Sequence, residues 1–338
     1  MTDQRRKVFD AQQQRCSPVR AGSYIFLHNL SDKNVRLALD EKTQHKVVVK
    51  VLRKDMGHNN VSDGHCTGQM KREGKIHSQL AHKHILPLIE VINDVDRICI
   101  VTALAEGGDL QSYMRKRQQT GSEGLPLDEA RRIFLQLVEA VNYLHNRGFV
   151  HRDIKPENVF LDASGNVLLG DFGLSCSWKE GNRKTRSCGT TGYIAPCLLV
   201  ETCSYEGPEL DCWGLGACLY FLLHGRDPFA ASSDLKVLKK TRSGRYNWTR
   251  HEEVEGAELV ARLLDVNSKK RATLKEVLAH PFCTTPAQPN TTPATISTSL
   301  PVVGVKAKRE ESRPTKKSPR THKKARRSYV SPLPFITE

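Results

Sequence analysis

An α+β fold in two lobes is what this 338-residue sequence predicts, and two observations carry it. Short apolar or alternating runs dominate the first part of the chain, whereas helical periodicity dominates from Asp109 onward. Strands succeeded by helices, rather than the two interleaved, segregate into separate layers. The composition also changes sharply after Phe282. The foldable unit is therefore about Gly22 to Phe282, which is large for one core and suits two.

In chain order, "SYIFLHNL", "VRLAL", "KVVVKVL" and "RICIVTAL" read as strands, each apolar or alternating and bounded by polar turns. A helix over roughly Gly68 to Leu80 interrupts them. In "LDEARRIFLQLVEAVNYLHNRG", Ala130, Ile133, Phe134, Leu137, Ala140, Val141 and Leu144 recur at helical spacing, and Gly148 supplies the stop. These patterns place a small antiparallel-sheet lobe at about 22–104 and a larger, mainly helical lobe at about 105–282.

Both ends are expected to be disordered. Residues 1–21 are polar and charged, without the apolar core of a signal peptide. Residues 283–338 begin with the uncharged, Thr- and Pro-rich "CTTPAQPNTTPATISTSLP" and turn strongly basic. The formal charge of +15 is concentrated there. From Pro301 onward eleven Lys and Arg stand against three Glu, which is eight of the net positive charges. Clustered basic residues in such a segment read as a nuclear import signal that engages an import receptor. Binding to nucleic-acid backbones is less favoured, because Tyr329 is the lone aromatic in the basic run. Thr285, Thr292, Ser318 and Ser331 each precede proline, so proline-directed kinases would lower the charge of the tail. The ten cysteines are scattered without CxxC or zinc spacing, consistent with reduced thiols inside a cell. No apolar run approaches membrane-spanning length. The expected location is intracellular and nuclear, in the host nucleus if the source is viral.

The chemistry lies in "FVHRDIKPENVFLDASGNVLLGDFG". "NVFL" and "NVLL" are short strands joined by the turn-forming "DASG", so a hairpin brings Asn158 and Asp171 together. With Asp153 on the preceding loop they form a site of hard oxygen ligands suited to Mg²⁺ on phosphates.

On these residues the chain resembles the protein kinase superfamily. "HRDIKPEN" (His151 to Asn158) is similar to its catalytic loop and "DFG" (Asp171 to Gly173) to its metal-binding motif. "CGTTGYIAP", "LDCWGLG", "GRDPF" and "KKRATLKEVLAHPF" come next, in the family's order. The resemblance covers Gly22 to Phe282 and points to the serine/threonine branch, near the Polo-like, AMP-activated and calcium/calmodulin-type kinases.

The resemblance implies a set of roles. Asp153 would take the proton of the attacking hydroxyl and Lys155 would neutralise the transferring phosphoryl group; Asn158 and Asp171 would hold Mg²⁺. Lys50 would contact the α and β phosphates of ATP, steadied by Glu73. Adenine would lie near Leu30, between Val35 and Val48 above and Phe160 below, with its edge against backbone at Ala103 to Ala105 and Thr102 guarding the back pocket. Arg152 would face the activation loop, where Thr185 and Ser187 are acceptors for an upstream kinase. Glu157 and Asp109 would favour arginine-containing protein substrates, and Thr190 agrees with a Ser/Thr acceptor.

Five departures accompany the match. Gly74 weakens a helix next to Glu73, and His77 stands where the family places an apolar residue against the DFG phenylalanine. A helix shifted in register would explain both. Valine at 48 replaces the usual alanine. In "IAPC", Cys197 replaces the glutamate that pairs with the arginine at 271, leaving Glu201 or Glu206 as substitutes. Finally, "NLSDKNV" holds no glycine and is about two residues short for a phosphate-covering loop, with Asn34 the residue suited to a left-handed turn. The expectation is weak ATP affinity. These departures leave a second reading, a pseudokinase scaffold, beside the active enzyme, although all six side chains for phosphate, metal and proton transfer are present.

Overall fold

The structure, a computed structural model, describes residues 20–31, 34–54, 61–119, 121, 123–178, 190–199, 207–249 and 254–285. Thr185, Ser187, Glu201, Glu206, the tip of the "NLSDKNV" turn and the basic tail lie outside the described residues.

The first lobe is built on strands β1 (Arg20–Ala21), β2 (Tyr24–Ser31), β3 (Val35–Asp40) and β4 (Lys46–Arg53), helix α1 (Val61–His77), and strands β5 (Leu88–Asn93) and β6 (Arg97–Ala103). The strands form one antiparallel sheet in the order β1-β2-β3-β4-β6-β5. Side chains alternate across a strand, and in β4 that alternation sorts the residues by task. Val47, Val49 and Val51 bury with Ala21, Tyr24 and Val101. Val48 and Lys50 take the opposite face. β5 was not legible as a strand; of its residues only Leu88 and Ile92 are even partly buried.

α1 begins seven residues before and ends three residues before the predicted span. Its start is hidden in polar residues with poor helix propensity, "VSDGHCTG". Its end is a tightening turn in which Gln79 and Leu80 donate to Ile76 and His77. Gly74 has a packing reason: a Cβ there would stand 3.2 Å from both methyl groups of Val91, so glycine lets α1 sit close on β5.

The second lobe carries β7 (Gly108–Asp109), α2 (Leu110–Gln118), α3 (Leu127–Asn146), β8 (Phe149–Val150), β9 (Val159–Leu161), β10 (Val167–Leu169), β11 (Cys176–Ser177), α4 (Pro208–His224), α5 (Asp234–Ser243), α6 (Val254–Leu263), α7 (Leu274–Leu278) and α8 (Pro281–Thr284). The predicted hairpin is present, with Val159 opposite Leu169 and Leu161 opposite Val167. The core is centred on α3 and α4. The α3 residues Ile133, Phe134, Leu137 and Val141 are buried in it, as are Trp213, Leu215 and Leu219 of α4. α4 is buried on every side, so it shows no polar face and acts as the pillar on which the loops are hung.

Candidate active site

The first lobe contributes a cation and its holder. Lys50 leaves β4 toward α1, where its Nζ lies 2.8 Å from Oε1 and 2.9 Å from Oε2 of Glu73. It also reaches Oδ1 of Asp171 at 2.9 Å. Desolvation lowers the pKa of the Lys50 amine, but Asp171 and Glu73 outweigh it and hold the amine above its ordinary range. Burial pushes the Glu73 carboxyl up, and Lys50 pulls it partly back. Desolvation likewise raises Asp171, yet Lys50, His151 and Lys155 bring its carboxyl down to about 2.

α1 is therefore not shifted in register. Glu73 meets Lys50, and the His77 ring packs 4.7 Å from that of Phe172. The anomaly at 77 is a substitution in place, an imidazole doing the packing of an apolar side chain.

The second lobe contributes the loop. Asp153 Oδ2 accepts from Lys155 Nζ at 2.6 Å and from Asn158 Nδ2 at 3.0 Å, while Oδ1 accepts from the Thr190 hydroxyl at 3.1 Å. Lys155 donates to Thr190 Oγ1 as well, at 2.5 Å. Thr190, expected from its motif to bear on acceptor choice, thus bonds directly to Asp153 and Lys155. The second bond from Asn158 Nδ2 goes to the Asp153 carbonyl at 2.8 Å, so both amide protons are used and Oδ1 is the remaining ligand atom.

Asn158 and Asp171 together fit a hard cation. Among the described residues no three His, Cys, Asp or Glu side chains converge as a metal site. A cation here would complete its shell with phosphate oxygens and water, which is the habit of Mg²⁺.

A carboxylate that motif order brought forward without a role, Asp211 of α4, fixes the loop. It accepts from His145 Nε2 at 2.7 Å and from the backbone N–H groups of His151 and Arg152 at 2.8 and 2.7 Å. Arg152 has φ 66, a left-handed conformation that a non-glycine residue keeps when its surroundings enforce it. Its Nε donates to the Leu174 carbonyl at 2.7 Å, and its buried Nη1 has no hydrogen-bond partner among the described residues.

The residues that the resemblance assigned to adenine lie on or beside β2, β3, β4, β6 and β9. Val48 pairs with Thr102 and Val47 with Ala103 across β4 and β6, Val35 lies opposite Lys50, and Phe160 is opposite Asp109. Val35, Val48, Ala103, Ala105 and Phe160 are all half-buried. Leu30 is 47% exposed at an irregular step of β2. Asp109 is less available than its motif suggested: it caps α2, accepting from Ser112 N and Oγ, both at 2.8 Å. Glu157 is half-buried, and its charge helps raise the Tyr193 hydroxyl and Cys218 thiol pKa values, where burial is the main cause.

The family model described as the protein kinase domain matches residues 32–283. The chain belongs to the protein kinase family. Among curated relatives of this chain, mouse sperm motility kinase 2B is 34% identical over 77% of the chain and 52% of its own length. The human SNF-related serine/threonine-protein kinase is 36% identical over 73% of the chain and 31% of its length. Human NUAK family SNF1-like kinase 2 is 38% identical over 71% of the chain and 36% of its length. The chain thus spans about half the length of the first relative and about a third of the other two.

Proposed function

We propose that this kinase transfers the γ-phosphoryl group of ATP to serine or threonine hydroxyls of protein substrates. The observation that carries the reading is the convergence of Lys50, Glu73 and Asp171 on one side of the cleft with Asp153, Lys155 and Asn158 on the other. Asp153, oriented by three donors, accepts the hydroxyl proton as the oxygen bonds to the γ-phosphorus. The bond from that phosphorus to the β–γ bridging oxygen breaks, and ADP leaves. Lys155 meets the charge on the transferring group, and Lys50 steadies the phosphates behind it. Mg²⁺ held by Asn158 and Asp171 supplies charge neutralisation on the phosphate oxygens when bound. The human SNF-related serine/threonine-protein kinase among the similar proteins supports the acceptor class.

Finer features belong to the same reading. Glu157 favours basic substrates, with Asp109 contributing less because its carboxylate caps α2. The buried Nη1 of Arg152, without a partner among the described residues, suits an anion supplied by phosphorylation of Thr185 or Ser187. ATP binding is weak. The basic tail directs the protein to the nucleus, and deletion of Lys306 to Arg327 with unchanged cellular distribution would remove that part. No helix among the described residues is long and apolar enough to cross a membrane.

The deciding experiment is phosphotransfer from Mg-ATP to a Ser/Thr peptide library by wild type and Asp153→Asn. Loss of the proton acceptor lowers the rate by about 10²–10⁴-fold. Equal signals from the two would favour the scaffold reading, to which the short turn, Val48 and Cys197 lend support.

A further inference from the structure

We infer that Gln69 and His77 are positioning residues for Asp171, gripping the backbone on both sides of it; the inference rests on the kinase reading only for what Asp171 then does. Residues four apart share a face of a helix, and 69, 73 and 77 of α1 form such a row. All three are directed at one segment. At the centre Glu73 holds Lys50, which holds Asp171.

At one end of the row, Gln69 Nε2 donates to the carbonyl of Gly173 at 2.9 Å, two residues after Asp171. At the other, the His77 Nε2–H donates to the Leu86 carbonyl at 2.7 Å. The Leu86 N–H in turn donates to the carbonyl of Leu169 at 2.9 Å, two residues before Asp171. The His77 ring covers Phe172 from one side, and the His151 ring lies 5.2 Å from Phe172.

A grip of this kind answers a physical need. Asp171 has φ 59, a left-handed conformation that is unfavourable for an aspartate and persists only when neighbouring contacts over-determine it. Glu73 and Lys50 fix the carboxylate but not the backbone. The carbonyls of Leu169 and Gly173 are backbone groups; Gly173 is tied directly to Gln69 of α1 and Leu169 is tied through Leu86 to His77, two turns further along, which stops the segment from relaxing. The side chain at 77 thus does two jobs, packing through its ring and bonding through its nitrogen, and a leucine there would do only the first.

The test uses the full chain with Gln69→Ala, His77→Leu and the double variant. Amide hydrogen exchange is monitored on the peptide covering Leu169 to Leu174, without nucleotide. Loss of one hydrogen bond is expected to speed exchange there about two- to tenfold, with the double variant faster than either. In the phosphotransfer assay kcat falls in the same rank order while the peptide KM stays constant. A double variant whose segment exchanges at the wild-type rate overturns the inference, as does a fall in melting temperature with kcat unchanged. If His77→Leu does not fold, Gln69→Ala decides alone. If wild type transfers no phosphate while exchange still rises in the variants, the kinase reading fails and the grip stands.

Discussion

Lys155 Nζ lies 2.6 Å from Oδ2 of Asp153, and both side chains are buried. The pair is held in a triangle by Thr190, whose hydroxyl bonds to each. Lys155 therefore has a fixed position before any substrate arrives, which is what electrostatic stabilisation of a transferring group requires. Lys155→Ala is expected to lower kcat by about 10²–10³-fold, comparable to removing one preorganised donor. The KM for ATP should barely move, because Lys50 is untouched. A rise in KM with constant kcat would assign Lys155 to binding instead.

Asp211 organises the same loop from beneath. Its carboxylate is fully buried and accepts from His145, His151 N and Arg152 N. Asp211→Ala leaves three buried donors without their acceptor, and a loss of about 3–5 kcal/mol is expected by urea denaturation near neutral pH. Desolvation raises this carboxyl, but His145 and the backbone donors bring it below the ordinary 3.8. A depressed carboxylate contributes stability above its unfolded pKa and loses it as pH falls toward the folded one. The gap between wild type and variant should therefore narrow once pH drops below 3.8. A gap independent of pH would mean that shape, not charge, is what Asp211 supplies.

Arg271 shows how the fold manages without a carboxylate at 197. Its guanidinium is 3% exposed, stacks 5.0 Å from the centre of the Trp213 ring, and donates to the carbonyls of Asp265 and Glu209 at 3.0 and 2.6 Å. Burial lowers its pKa, and Cys197 beside it offers partial relief. Nη2 has no hydrogen-bond partner among the described residues. Cys197→Glu would give that group an anion and is expected to stabilise the protein by on the order of 1–3 kcal/mol, read as a raised melting temperature. A lowered one would show that the site has no room for the longer side chain.

Gly225 ends α4 at φ 67, and a Cβ there would fall 1.6 Å from the backbone oxygen of Glu123. Backbone cannot step aside as a flexible side chain can. Gly225→Ala should cost at least about 2 kcal/mol, combining the left-handed penalty with displacement of the 123 segment. Near-wild-type stability would mean that this segment gives way freely.

What could be read from the sequence depended on whether a residue's type announced its place. α3 was legible because its apolar residues recur at helical spacing and face one core. α1 was legible only in part, since the side chains it turns inward include Glu73 and His77, which count as polar in any periodicity. Gln69 gave no signal beyond standing four residues before Glu73, because its partner is a backbone carbonyl and backbone carries no sequence identity. Asp211 lay in a motif whose order was recognised, yet its donors come from 59 to 66 residues away.

The turn between β2 and β3 sets the last expectation. Asn34 adopts φ 57, the left-handed conformation its side chain tolerates best among non-glycine residues. Ser31 already pairs with Val35, and the Asn34 carbonyl accepts from the N–H of Val51 at 2.9 Å. The end of the turn is thus fastened to β4, the strand carrying Lys50. A turn this short without glycine is expected to offer phosphates few backbone N–H groups, which would leave ATP binding to Lys50, the backbone at Ala103 to Ala105 and the metal ligands. The KM for ATP should lie in the upper part of the usual range, on the order of hundreds of micromolar. Replacing residues 31–34 with a longer glycine-rich loop should lower it by about threefold or more, since each cradling hydrogen bond is worth about 0.5–1.5 kcal/mol. A wild-type KM in the low micromolar range would show that the fastened turn reaches the phosphates after all.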